Sequence, residues 1–219
     1  MRVAVVVPVY RNEDTLRPLV SRLGAALDAH DWSVRLVVDA SPDGSAAVAA
    51  ELAVDPRVVA QVLPHNVGQH RALALGLAAA DDADAWVCLD ADLQDPPEAV
   101  PALLDRLARG DVAAVFAGRR GAYEGRARLL TGRLHRALMG RLTGLPPDAG
   151  AFLALDARGR EAVLRLQGPS LVAALGAARL PVDSVPTERA PREAGTSSWT
   201  ARARLRQSAR TLAWTLRHR

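Results

Sequence analysis

Short β-branched runs alternate with longer Ala- and Leu-rich runs of helical period through the first half of the chain. A run that is apolar at every position suits a strand buried on both faces, whereas an apolar stripe recurring every three or four residues suits a helix with one face on a core. Up to Gly118 these patterns predict strands at about 3–8, 33–38, 58–63, 85–90 and 112–117, and helices at about 13–29, 44–54, 69–80 and 98–109. Asn12 is a candidate cap for the first helix, and Ser41 or Asp43 for the second. Strands alternating with helices in this way predict an α/β, Rossmann-like fold with a mostly parallel central sheet flanked by helices.

Beyond Gly118 the pattern changes. An Arg-rich stretch, Arg119 to Leu145, carries Leu129, Leu134, Leu138 and Leu142 near helical spacing, which predicts one or two amphipathic helices. A turn at Pro146-Pro147-Asp148 leads to a strand at about 150–155, a helix at about 157–166 and a strand at about 180–186. After a loop at about 187–198, a basic amphipathic helix of about 200–217 closes the chain. It sets Leu205, Leu212 and Leu216 on one stripe with Arg206, Arg210 and Arg217 on its flank. Such a stripe suits either a contact with a membrane surface or packing against the sheet. The division expected is a main domain of residues 1–199 and a basic tail of residues 200–219.

Composition narrows the function classes. The 219 residues are 49% hydrophobic, enough for a buried core. The net charge is +4, and all 28 basic residues are Arg, whose planar fork grips phosphate oxygens in pairs. Aromatic residues are only 4% of the chain, and the Arg clusters lack the regularly interleaved aromatics of single-strand binders, so the composition argues against nucleic acid as the partner. The single cysteine, Cys88, lies inside an apolar run and reads as a packed thiol. No segment reaches the roughly 18 apolar residues of a membrane span, and the apolar start is too short for a signal peptide.

The candidate chemistry lies where strands end. Asp90-Ala91-Asp92-Leu93-Gln94-Asp95-Pro96-Pro97-Glu98 follows the apolar run Ala85 to Leu89. Ligands of open α/β sheets bind beyond the carboxyl ends of strands, and two carboxylates one residue apart suit a divalent cation carrying phosphates. Asp-x-Asp alone is generic and also fits an acidic turn before a helix. Val7-Pro8-Val9-Tyr10-Arg11-Asn12-Glu13 ends the first strand with a proline, which stops pairing, and either lines a nucleotide pocket or simply turns into a helix. Asp39-Ala40-Ser41-Pro42-Asp43-Gly44 brings two more carboxylates to that edge, as ligands or as turn and cap. His65-Asn66-Val67-Gly68-Gln69-His70 opens a helix rich in small residues that can approach the sheet closely, and His70 reads as a surface or hydrogen-bonded histidine rather than a ligand.

Taken in order, Val-Pro-Val-Tyr…Asn-Glu, Val-Asp-Ala-Ser-Pro-Asp, Asn-Val-Gly-Gln-His and Asp-Ala-Asp-Leu-Gln-Asp-Pro-Pro-Glu resemble the family 2 glycosyltransferases of GT-A fold. Among them the chain is most similar to the polyprenyl-phosphate glycosyltransferases, relatives of dolichol-phosphate mannose synthase. The similarity continues through Gly118-Arg119-Arg120, the stretch with Arg128, Thr131 and Arg133, Pro147 to Phe152, and Arg189 to Trp199. It also shows departures. Val38 stands where the family has the first of two paired acids, Gly132 where a serine is common, and Ser198 where a lysine is common.

The resemblance implies an inverting, metal-dependent hexosyltransferase of cell-envelope glycan synthesis, moving a hexose from a UDP- or GDP-linked donor to polyprenyl phosphate. A hydroxyl acceptor, or a donor-binding subunit with little catalysis, stands as the alternative. It implies Mg2+ or Mn2+ held by Asp90, Asp92 and Gln94, and a donor nucleotide held by Pro8, Tyr10, Glu13, Asp39, Ser41, Gly68, Gln69, Asp90 and Ala91. Arg119, Arg128, Arg133 and Arg192 would hold the acceptor phosphate, and Asp92, Asp148 and Arg119 would be the catalytic set. Similar proteins continue into membrane helices where this chain stops at Arg219, so the expected location is the cytoplasmic face of the membrane, reached peripherally or through a separate membrane-spanning partner.

Overall fold

β1 (Arg2–Val9) is buried from Val3 onward, because neighbouring strands flank it on both sides and helices cover both of its faces. Val3, Val5, Val7 and Val9 enter one core cluster while Ala4 and Val6 enter the other, which is why the run shows no polar alternation. The computed structural model describes residues 1–80, 82–118, the backbone of Arg119 and Arg120, residues 144–188, and Thr211, Ala213, Trp214 and Arg217. Of the Arg-rich helices expected in 119–145, residues 119 and 120 instead end a strand, 144 and 145 are not helical, and 121–143 lie outside the described residues. Of the loop expected near 187–198, residues 187 and 188 also end a strand, and the rest of it and most of the terminal helix lie outside the described residues.

β1, β2 (Asp31–Val38), β3 (Val58–Val62), β4 (Ala85–Cys88), β5 (Ala114–Arg120), β6 (Leu153–Leu155) and β7 (Val182–Glu188) form one sheet in the order β3-β2-β1-β4-β6-β5-β7. All pairs are parallel except those of β6, which runs antiparallel to β4 and β5. The chain winds outward from β1 through β2 to β3 and then returns to the other side of β1 with β4. That reversal opens a crevice between the carboxyl ends of β1 and β4.

α1 (Leu16–Ala26), α2 (Ser45–Leu52) and α4 (Val100–Leu107) cover one face with Leu16, Leu19, Leu23, Val48, Leu103 and Leu104. α3 (Gln69–Ala79), α5 (Ala157–Leu166) and α6 (Leu171–Ala178) cover the other with Leu73, Leu77, Val163 and Leu175. Small residues let α3 lie against the sheet. A Cβ at Gly76 would stand 2.4 Å from Val6 Cγ1 and 2.8 Å from Val37 Cγ2. The last carbonyls of α3 are satisfied from outside the helix. Arg160 donates to Leu77 O (2.9 Å) and Ala78 O (3.4 Å), Arg35 to Ala79 O (2.8 Å), and the Trp86 indole to Ala80 O (2.5 Å). Cations at a helix carboxyl end also complement its dipole.

Several expectations are corrected. Pro8 does not end β1, since it stays in register with Val37; it lies past Val6↔Cys88, the last pair with β4. Asn12 does not cap a helix beginning at 13. Its side chain accepts from Tyr10 N (3.0 Å), its carbonyl accepts from Thr15 N and Leu16 N, and α1 starts at Leu16. Asp43 does serve the start of α2, accepting from Ser45 N at 3.2 Å. The helix expected at 98–109 is a 3-10 turn, Pro97–Ala99, followed by α4. α6 was not expected; Ser170 caps it by accepting from Ala173 N at 3.1 Å. Its sequence, LVAALGAA, is apolar all round and therefore carries no stripe to detect.

Gly76→Val should overpack the α3–sheet contact and cost about 1–3 kcal/mol. The expected reading is a lower urea midpoint with an unchanged slope.

Candidate functional site

The site grows from Asp39, the residue following β2. Its carboxylate is 3% exposed, and both oxygens are engaged: Oδ1 accepts from Val67 N (2.7 Å) and Oδ2 from Gly68 N (2.8 Å). Its carbonyl accepts from Asn66 Nδ2 at 3.1 Å. Two charge-assisted bonds offset the desolvation of a buried carboxylate, and the negative charge sits at the start of α3, where the helix dipole favours it. Asp39 therefore fixes where α3 begins. The first residue of that helix, Gln69, then donates from Nε2 to Asp90 Oδ1 at 2.5 Å. A carboxylate after β2 and one after β4 are in this way joined through the loop after β3.

The loops after β1 and β2 are knitted together as well. Ser41 Oγ accepts from Arg11 N (2.7 Å) and donates to Asp43 Oδ1 (2.5 Å), and Ser45 Oγ accepts from Asn12 N (2.9 Å). Glu13 N donates to Asp43 Oδ2 at 3.3 Å, while Glu13 Oε2 accepts from Gly44 N at 2.6 Å. Burial alone would raise the pKa of Asp43, but the hydrogen bonds from Ser41, Ser45 and Glu13 outweigh it and hold the carboxyl below its ordinary value. Glu13 and Ser41, expected as donor ligands, thus brace the rim. Three non-glycine residues take left-handed backbone there, one in each loop leaving β1, β2 and β4: Arg11 (φ 59°), Ala40 (φ 47°) and Leu93 (φ 59°). Each costs about 1–2 kcal/mol, and such strain gathers where a site is held in shape.

Along the acidic motif, burial alternates. Ala91, Leu93, Asp95 and Pro97 are buried, whereas Asp90, Asp92, Gln94 and Pro96 are half-exposed. Packing of the first set against the core presents the second set outward. Asp92 accepts from Gln94 N at 3.2 Å and joins Arg11, Asn12, Thr15 and Asp43 in lining a cavity of ≈ 480 Å³ at the β1–β4 crevice. Among the described residues no group of three His, Cys, Asp or Glu could hold a metal by itself. Two carboxylates one residue apart in the chain still fit Mg2+ or Mn2+, which commonly take one or two protein carboxylates and complete their shell with substrate phosphates and water. Ala91 lies in the core by its side chain, and Pro8 is buried; Tyr10 is exposed at 38%, with Arg11 5.6 Å from its ring. Cys88 is fully buried, and its thiol pKa is pushed up by burial and by the charge of Asp90, as befits an inert packed group.

Asp148 reaches the same edge from the far side of the sheet. Val6, Cys88, Leu153, Phe116 and Ser184 form one row across five strands, and Ser184 Oγ donates to Asp148 Oδ2 at 3.0 Å. Ser184 and Ser45 carried no signal in the sequence, because a lone serine has no pattern. The side chain of Arg119, and all of Arg128, Arg133 and Arg192, lie outside the described residues. A second cavity, ≈ 270 Å³, lies between the start of α3 and the turn from α5 to α6, lined by His70, Arg71 and Gln167. His70 Nδ1 is buried without a hydrogen-bond partner, and burial lowers the pKa of the ring.

Two outcomes are expected. Asp39→Asn can accept only one of the two amides and turns its NH2 toward the other, so it should lose about 1–3 kcal/mol and speed hydrogen exchange at Val67 and Gly68 well beyond the rest of the sheet. Because the folded chain holds His70 below its ordinary 6.5, the unfolded chain binds a proton that the folded one refuses as pH falls from that value. Stability should therefore drop as pH falls through that window, and urea unfolding at about pH 7.5 and 5.5 should show the drop shrinking in His70→Gln.

The family model for glycosyl transferase family 2 matches residues 4–152. The undecaprenyl-phosphate 4-deoxy-4-formamido-L-arabinose transferase of Pseudomonas fluorescens (strain Pf0-1) is 42% identical over 123 residues, covering 54% of this chain and 36% of that protein. The enzyme of the same name from Enterobacter sp. (strain 638) is 36% identical over 159 residues, covering 69% and 47%. The chain thus spans less than half the length of these curated relatives. Among solved structures, glucosyl-3-phosphoglycerate synthase from Mycobacterium tuberculosis, bound to Mn2+, uridine diphosphate and phosphoglyceric acid, matches with a TM-score of 0.72 at 18% identity, over 99% of this chain and 78% of that one. A mannosyltransferase from Pyrobaculum calidifontis bound to GDP-Man and Mn2+ matches with a TM-score of 0.69 at 19% identity, over 98% and 64%. These likenesses bear out the expected GT-A architecture. Since the matched segment runs from β1 through the loops that follow β1, β2, β3 and β4 to the threshold of β6, the chain belongs to glycosyl transferase family 2.

Proposed function

We propose that the chain is an inverting glycosyltransferase that moves a sugar from a UDP- or GDP-linked donor to a polyprenyl phosphate. The observation that carries this reading is the placement of Asp90 and Asp92. Both are half-exposed just beyond the carboxyl end of β4, beside the point where the strand order reverses; Asp92 lines the cavity there, and Gln69 fixes Asp90. The relatives named for sugar transfer to undecaprenyl phosphate, and the fold neighbours bound to Mn2+ with a nucleotide or nucleotide sugar, support the same direction.

Asp90, Asp92 and Gln94 are the residues that would hold Mg2+ or Mn2+, a group that when bound offsets charge building on the leaving diphosphate. In this reading Gly68 and the loop after β1 hold the nucleoside, while Asp39 acts from beneath by holding the loop before α3. A phosphate oxygen of the acceptor attacks the anomeric carbon, the bond from that carbon to the diphosphate oxygen breaks, and the configuration inverts. The acceptor is already ionised near neutral pH, because its second pKa is about 6, so no strong base is required. Asp148 orients the acceptor, and Arg119, Arg128, Arg133 and Arg192 hold its phosphate close to the donor diphosphate.

Among the described residues no helix is long and apolar enough to cross a membrane. The reading therefore has the main domain, residues 1–199, meet the lipid at the cytoplasmic face of the membrane, with the basic tail 200–219 or a membrane-spanning partner supplying the contact. Trp214 lies over Gly168, whose added Cβ would stand 3.1 Å from the indole, so part of that tail also packs on the turn between α5 and α6.

Labelled UDP- and GDP-sugars, incubated with Mn2+ and undecaprenyl phosphate, should yield a butanol-extractable product. Asp92→Asn should lower its rate on the order of a hundredfold. Transfer to water-soluble hydroxyl acceptors alone would move the reading to a hydroxyl nucleophile, with Asp148 as its base. Tight donor binding with no transfer to any acceptor would overturn it in favour of a binding subunit.

A further inference from the structure

We propose that Ser184 is a positioning residue for Asp148, and that Gly118 is kept without a side chain to make room for the pair. The inference rests on the reading of Asp148 as the acceptor-orienting residue. Asp148 stands in the turn after Pro146 and Pro147, a segment with no helix or strand to fix its side chain. What fixes it is the Ser184 hydroxyl, which donates to Oδ2 at 3.0 Å and so sets the plane of the carboxylate and the direction of Oδ1.

The support beneath Ser184 is rigid. It lies on β7, paired in register with Phe116 of β5, and Phe116 is fully buried. The preceding residue, Asp183, points to the opposite face, as the period of a strand requires. There Asp183 accepts from Arg106 of α4 at 2.5 Å, and Arg106 also holds Asp111 at 2.6 Å. β7 is thus clamped from the α4 side, while Ser184 presents its hydroxyl on the side of α3, α5 and α6. Cys88, two residues before Asp90, occupies the same row across the sheet three strands away. At about 4.8 Å per strand the Ser184–Asp148 pair, which lies over β5 and β7, stands roughly 10–15 Å along the rim from the Asp90 motif. That span accommodates a sugar between a diphosphate and an acceptor.

Gly118 supplies the third observation. A Cβ there would stand 2.2 Å from Asp148 Oδ2 and 2.4 Å from Ser184 Oγ, so the pair fills the space that any other residue would occupy. An exposed turn aspartate needs neither a dedicated donor nor an empty site beneath it. Asp148, which is half-buried, has both.

The test uses the full chain, undecaprenyl phosphate and whichever UDP- or GDP-sugar the donor panel selects. Ser184→Ala should lower kcat on the order of ten- to a hundredfold, as misdirection of a positioned group does, with the donor KM and the melting temperature unchanged. Ser184→Thr, which restores the hydroxyl, should recover most of the rate. Gly118→Ala should reproduce the loss with Ser184 intact, because its methyl intrudes on the pair. In Asp148→Asn, Ser184→Ala should add no further loss. Full activity of Ser184→Ala beside an impaired Asp148→Asn would sink this inference alone, whereas full activity of Asp148→Asn would sink the reading of Asp148 and the inference with it. A loss in Ser184→Ala that Thr does not recover, or one that adds in full to that of Asp148→Asn, would also count against it.

Discussion

The rim of this fold hangs on one carboxylate shared between two backbone amides. Asp39 is buried after β2, and by accepting from Val67 and Gly68 it sets the first turn of α3. The helix it places carries Gln69 to Asp90 and, through Gly76, lies directly on Val6 and Val37 of the sheet. Three loops from three strands are therefore positioned by hydrogen bonds that begin at a single side chain. At the other end of α3, Arg35, Arg160 and Trp86 take up the last carbonyls, so the helix is tied at both ends by groups from different elements. A site made of loops acquires in this way the rigidity of the scaffold below it.

The same arrangement revises the division of labour among the acidic residues. The sequence offers Glu13, Asp39, Asp43, Asp90 and Asp92 at one edge, and composition alone treats them alike. In the structure, Glu13, Asp39 and Asp43 spend their oxygens on backbone amides and on Ser41. Asp90 and Asp92 instead accept from Gln69 Nε2 and Gln94 N, and they are half-exposed, spaced by residues buried in the core, with Asp92 lining the cavity at the crevice. These carboxylates differ in the groups they bond, and spacing in the chain does not express that.

The parallel half of the sheet was legible because burial on both faces leaves an unbroken apolar run, as in Val3 to Val9 and Ala85 to Leu89, and because each run ends in polar residues that gather at the carboxyl edge. The acidic motif was legible for the same reason, together with its resemblance to a known family. Other features left no local trace. α6 is apolar all round and so has no stripe, while α1 starts later than expected because Asn12 and Thr15 spend three residues on a turn. Pro8 reads as a stop but sits where β4 no longer pairs. Ser184 acquires meaning only from Asp148, 36 residues away in sequence.

β6 alone runs against the other strands, and its reversal has a consequence for how the edge is assembled. Every other segment reaching that edge leaves a strand behind it, but residues 144–152 arrive there ahead of their own strand. Entry from the opposite polarity separates this stretch from the hydrogen-bonded ring of Asp39, Gln69 and Asp90. The bank that carries Asp148 therefore takes its register from β6, and the bank that carries Asp90 takes its register from the parallel strands β1 and β4.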